Sequence, residues 1–85
     1  MAKYKVLYWQ EIPSQVKAED DFDDVSLPMP ERFQEHIDRM AARRGLQESE
    51  AYLAQWKWSE EHAREGSADE VAEAVRAELE AQADW

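Results

Sequence analysis

Lys3-Tyr4-Lys5-Val6-Leu7-Tyr8-Trp9-Gln10 is the stretch on which the fold turns. Tyr4, Val6 and Tyr8 alternate onto one side while Leu7 and Trp9 fall on the other, and aromatic and β-branched residues at a period of two make a strand. Apolar side chains on both sides place that strand in the interior of a sheet, where each face must be covered by a helix or by another chain. Downstream, Ile12-Pro13-Ser14 reads as a turn, because proline fixes φ and cannot donate to a ladder. Gln15 to Glu19 then resumes a weaker strand with Val16 and Ala18 on one face, so the two runs form a hairpin.

Glu19-Asp20-Asp21-Phe22-Asp23-Asp24 sets five carboxylates within six residues. Mutual repulsion and low β propensity make it a solvated loop. A calcium loop of the EF-hand type needs a glycine at its turn, and this run has none. Val25-Ser26-Leu27 is a short extended piece, after which Pro28 and Pro30 restrict the backbone and Pro30 suits the start of a helix. Phe33, Ile37, Met40 and Ala41 form one apolar stripe, Glu35 and Arg39 are spaced to pair, and Gly45 after Arg43 and Arg44 ends the helix, which spans Pro30 to Arg44.

Ser49 is placed to cap a shorter helix carrying Ala51, Tyr52 and Leu53. Trp56-Lys57-Trp58 follows, and its two rings share a side only if the chain is extended, which favours a third strand over Gln55 to Glu60. Glu60 to Gly66 reads as a polar connection. Ser67-Ala68-Asp69-Glu70 is a capping box, in which the serine hydroxyl and the glutamate satisfy each other's exposed backbone donors. Val71, Ala72, Val75 and Leu79 then form a narrow apolar stripe, with Glu73, Arg76 and Glu80 on the solvated side and the helix ending near Gln82. Trp85 is left at a mobile terminus. The expected fold is a single α+β domain over residues 1–85: a small antiparallel sheet of about three strands, Lys3 to Gln10, Gln15 to Glu19 and Gln55 to Glu60, covered by helices beginning at Pro30 and Ser67.

The chain is 85 residues long, with 20 acidic and 10 basic residues and a formal charge of -10. That balance offers no extended counterion-releasing surface, so neither nucleic acid nor an anionic membrane is an expected partner. With no cysteine there is no disulfide, thiolate nucleophile or cysteine-ligated metal. The first residues form too short an apolar run for a signal peptide or a membrane span, which points to the cytoplasm. His36 and His62 lie far apart, with no nucleophile elbow to make a triad. Glu31, Glu35 and His36 lack the paired histidines of a helical metal site. No catalytic residue, metal or cofactor is expected.

Four tryptophans in so short a chain pose a better question. Tyr8, Trp9, Tyr52, Trp56 and Trp58 outnumber what one face of a small sheet buries, and aromatic residues are enriched at interface cores. Trp9 and one of the Trp56 and Trp58 pair are the candidate partner-facing rings. On this reading alanine at Trp9 or Trp58 weakens binding to a protein partner and leaves the domain folded, whether the protein is a monomer or a homodimer.

Two resemblances follow from runs of residues. From Asp24 to Trp58, a short strand, a proline-led helix, an Arg43-Arg44-Gly45-Leu46 stop and a second helix opening on Ser49, Glu50 and Ala51 resemble a ribbon-helix-helix repressor. That resemblance implies a dimeric transcriptional regulator whose strand pairs with its copy and reads the major groove. The outward residues would be Phe22, Asp24 and Ser26, or Asp23 and Val25, and neither set is basic.

A wider set of residues covers nearly the whole chain: Lys5 to Pro13 with Gln15 to Ala18, Pro30 to Glu35, Ala51-Tyr52-Leu53, Trp56-Lys57-Trp58, Gly66-Ser67 and Glu70-Val71. It resembles a small bacterial family labelled "virulence factor". The resemblance supplies no catalytic residues. It implies a non-enzymatic accessory or protein-interaction subunit, linked at the level of the family to bacterial one-carbon metabolism.

Overall fold

A computed structural model describes residues 1–46 and 50–84. In chain order these form β1 (Ala2–Trp9), β2 (Ile12–Glu19), β3 (Asp24–Pro28), α1 (Glu31–Arg43), α2 (Glu50–Ala54), β4 (Trp56–Trp58), β5 (His62–Arg64) and α3 (Ala68–Gln82). The class is α+β with an antiparallel sheet, as the patterning predicts, but the sheet has five strands where about three were expected. Its order is β3-β2-β1-β4, with β5 also paired to β1.

The two additional strands were both under-read. Val25-Ser26-Leu27 is not a free extended piece: Val25 faces Ala18 and Leu27 faces Val16 across the β2–β3 ladder, and both apolar side chains pack on the core. The polar run after Glu60 contains β5, which pairs Ala2 with Arg64 and Tyr4 with His62. Its apolar content is low because Arg64 spends its guanidinium on Glu78 of α3, with two bonds of 3.0 and 2.5 Å. A strand held by its backbone and by a bidentate ion pair leaves little hydrophobic pattern.

Strands β4 and β5 line the same edge of β1 and are out of step with each other. Between the pairs Leu7↔Trp58 and Tyr4↔His62 the outer strand advances four residues while β1 advances three, which is a bulge. Ser59 bridges it: its backbone N–H donates to the Val6 carbonyl at 2.8 Å, and its Oγ accepts the Val6 N–H at 2.9 Å.

The turn between β1 and β2 also lies earlier than expected. Trp9 pairs with Ile12, so the connection is Gln10-Glu11 and Ile12-Pro13-Ser14 belongs to β2. Gln10 takes a positive φ of 53°, the conformation that two-residue hairpin turns require. Its backbone N–H bonds the Gln55 carbonyl at 3.2 Å and its side-chain amide bonds the Gln55 side chain at 3.3 Å. Pro13 is tolerated inside a strand because the register shifts beside it, and bulges are where a sheet admits proline.

Helix α1 starts after Pro30 and buries Phe33, Ile37 and Ala41. Its end is a Schellman motif: Gly45 has φ 66°, its N–H bonds the Ala42 carbonyl, and the Leu46 N–H bonds the Ala41 carbonyl at 2.8 Å. The i,i+4 link on its outer surface joins Gln34 to Asp38 at 3.0 Å. Helix α3 opens with the capping box, Ser67 accepting from the Glu70 N–H and Glu70 accepting from the Ser67 N–H. It buries Ala68, Val71, Ala72 and Val75. The Ser49 cap and the Trp85 terminus lie outside the described residues. None of the described helices is long and apolar enough to cross a membrane.

The core joins Ala2, Val6, Val16 and Ala18 of the sheet to Phe33 and Ile37 of α1 and to Val71 and Val75 of α3. Trp9 belongs to it, with no exposed surface, and this corrects the expectation that it faces a partner. Its indole N–H donates to the Tyr52 carbonyl at 3.1 Å, and the Tyr52 ring lies 5.6 Å away. Replacing Trp9 by alanine therefore costs about 3–5 kcal/mol, a large part of the stability of a domain this small. In thermal and denaturant melts Trp9→Ala is expected to be largely unfolded, with Trp9→Phe between it and wild type. A Trp9→Ala protein that melts like wild type would overturn this placement.

Candidate interaction surface

Because side chains alternate, each cross-strand pair assigns its two residues to one face of the sheet. Ala2, Tyr4 and Val6, with Val16 and Ala18 opposite them, point to the face on which α3 packs. Lys3, Lys5, Leu7 and Trp9 point the other way. Only the Trp9 end of that second face is roofed. There Trp9 pairs with Trp56, and Tyr52 of α2 lies against both rings, edge-on to Trp56 at 6.1 Å.

Beyond this aromatic corner the face is open. Leu7 stands opposite Trp58 on one side and Gln15 on the other, and Gln15 opposite Pro28. In the next row Lys5 faces Lys17 and Lys17 faces Ser26. In the last, Lys3 faces Glu19 and Glu19 faces Asp24. Lys5, Leu7, Gln15 and Lys17 are half-buried and the others are exposed. Trp58 retains 44% of its surface, and the Lys5 ammonium sits 4.6 Å from its ring centroid. That is cation–π distance, so the lysine covers part of the ring it sits over.

Of the three rings singled out from sequence, Trp58 lies on the open face, Trp56 is half-buried at its corner and Trp9 is enclosed. Trp56 and Trp58 do share a side, since β4 is extended. The lysines beside them were passed over in the sequence. Alternation places Lys3 and Lys5 with Leu7, but only the strand register brings Lys17 alongside.

A second concavity, of about 390 Å³, lies where the β1–β2 turn meets α1 and the end of α3. Ile12, Phe33 and Leu79 are among its apolar residues, with Tyr8, His36 and Asp84 as polar neighbours. Burial, and after it the nearby Tyr4, raise the Tyr8 phenol above its ordinary value, so the ring presents a neutral hydroxyl. His62 is elsewhere, on β5, with its ring 5.5 Å from that of Tyr4.

The acidic run does structural work at one position. Asp20 Oδ1 accepts the Phe22 and Asp23 N–H groups at 2.7 Å each, and its Oδ2 accepts the Ala68 N–H at 2.8 Å, at the first turn of α3. Phe22 projects from the resulting loop with 92% of its surface exposed. Among the described residues no three of His, Asp and Glu are grouped to hold a metal ion.

Compared with known protein families, the chain matches the family described as "Virulence factor" over residues 7–84. No curated protein and no solved structure matches it.

Asp20 supplies a pH test of the loop. The Ala68 N–H, then those of Phe22 and Asp23, hold its carboxyl below the ordinary value of 3.8. A depressed folded-state value contributes stability that is complete above the unfolded-state value and is lost as pH falls through the folded one. Asp20→Asn is expected to melt below wild type at neutral pH, with the gap closing as pH falls below about 4. An equal gap at pH 7 and in acid would show that these bonds do not act through the charge.

Proposed function

The chain belongs to the "Virulence factor" family, and on that premise we propose that it is a non-enzymatic accessory subunit that works in the cytoplasm by binding another protein. The observation that carries this reading is the open sheet face, where Trp58, with 44% of its surface exposed, and half-buried Leu7 sit beside Lys5 on paired strands. Exposed aromatic and aliphatic side chains on a rigid strand framework are the usual anchors of a protein interface. The acidic remainder of the surface contributes orientation and encounter rate rather than contact energy. Enzymes of bacterial one-carbon metabolism are the first partners to test.

A ribbon-helix-helix regulator is less well supported by the geometry. The strand that would pair with its copy is the edge strand of a larger sheet, tied along one side to β2 of the same chain, rather than the free ribbon that such a dimer shares. The side chains it sets on the open face are Asp24, Ser26 and Pro28, which have no basic group to meet DNA.

Affinity capture from the native lysate, with wild type beside Trp58→Ala, tests the proposal. Trp58→Ala is expected to keep the wild-type melting temperature within a few degrees and to lose at least about 1 kcal/mol of partner affinity. Capture of a near-stoichiometric partner by wild type and undiminished capture by a folded Trp58→Ala would remove this face from the interface. No partner for either would remove the accessory reading.

A further inference from the structure

All four lysines of the chain, Lys3, Lys5, Lys17 and Lys57, lie on sheet strands, and three of them share the open face. Lys5 and Lys17 are directly opposite each other. Like charges in that position destabilise a sheet, and the chain has 20 carboxylates from which a relieving partner could have been drawn. Among the described residues Lys3, Lys5 and Lys17 take no part in the ion pairs Arg44–Glu11, Arg64–Glu78 and Arg76–Glu80; Glu19 and Glu61 line the same shallow concavity as the three lysines without closing an ion pair with them. Lys5 is held in part by its contact with the Trp58 ring, but no ion pair offsets its opposition to Lys17, and an anionic ligand would.

We infer that the open face receives an acidic segment of the partner protein that carries at least one large apolar side chain. This rests on the interaction reading above and gives the partner its chemistry. Lys5 and Lys17 supply the charge, and Leu7 and Trp58, in the adjacent row, supply the apolar seat. The site is short. Acidic Glu19 and Asp24 close one end, and the roofed Trp9–Trp56 corner closes the other. From β3 to β4 the sheet spans about 14 Å, room for roughly four or five extended residues. A long polyanion such as nucleic acid would run off this patch onto a surface of its own sign.

The test uses the full chain and an acetylated Glu-Asp-Phe-Asp-Glu-Leu-Asp-Glu peptide. Two comparisons accompany it: the same peptide with alanine for its phenylalanine and leucine, and a pyrimidine oligonucleotide of equal charge. Calorimetry is run at low and moderate salt. Wild type is expected to bind the first peptide saturably, about tenfold tighter than the alanine peptide, and more weakly as salt rises. Lys17→Glu is expected to lose that binding and yet to melt at or above the wild-type temperature, because it turns a like-charge pair into an opposite one. Lys17→Gln should bind less tightly than wild type and serves as the check if the reversed charge disturbs the fold.

No saturable binding of the first peptide, equal binding of the alanine peptide, undiminished binding by Lys17→Glu, or tighter binding of the oligonucleotide would each overturn the inference. A captured partner that depends on Trp58, together with a negative peptide result, would leave the accessory reading standing and remove only the acidic segment.

Discussion

Strand β1 has to be covered twice. It presents Val6 and Ala2 to one side and Trp9 to the other, and α3 packs on the first while α1 adds Phe33 and Ile37 to the core. On the second side the described cover is α2, Glu50–Ala54. That disparity organises the molecule. The short helix roofs one corner, where Tyr52 touches the rings of Trp9 and Trp56 and its carbonyl takes the indole proton. Farther along that face Trp58 and Lys3 are exposed. Core and proposed interaction surface are thus the two ends of one row of side chains, from Trp9 inward to Lys3 outward. The partner reading follows from how much of the sheet a chain this short can cover.

Much of this was legible in the residues. The alternation from Lys3 to Gln10, the helix opened by Pro30 and stopped at Gly45, and the capping box at Ser67 each depend on bonds made within a few residues, so local sequence suffices to read them. Strands β3 and β5 depend on partners distant in the chain. The five residues of β3 are held by β2, and β5 is held by β1 and by Glu78. Neither carries enough local pattern to stand out from a loop. Pro13 misled for a related reason: its exclusion from a ladder is waived at a register shift, which becomes visible only once both strands are in place.

The candidate interaction surface was half legible. An excess of aromatic residues over core demand is a property of composition, and it correctly raised the question of exposed rings. Which ring is exposed depends on what α2 covers, and the pattern gave Trp9 and Trp58 equal standing. The lysines were invisible because net charge averages over the surface. A chain of charge -10 does not advertise two ammonium groups facing each other across a strand pair. Likewise Asp20 looked like one carboxylate among five, and only the approach of α3 sets it apart as a cap.

The bulge at Ser59 has a consequence for crowded conditions. An exposed strand edge is a template on which identical chains can stack, and here neither edge of the sheet is a clean one. On one side the outer strand is broken into two three-residue pieces that are out of step, with a serine side chain standing in for a backbone partner. On the other, β3 is short, begins with an aspartate and ends with a proline. Sheet extension into fibrils is obstructed from both directions, which lets an aromatic-rich chain keep one flat face open without its edges seeding polymerisation.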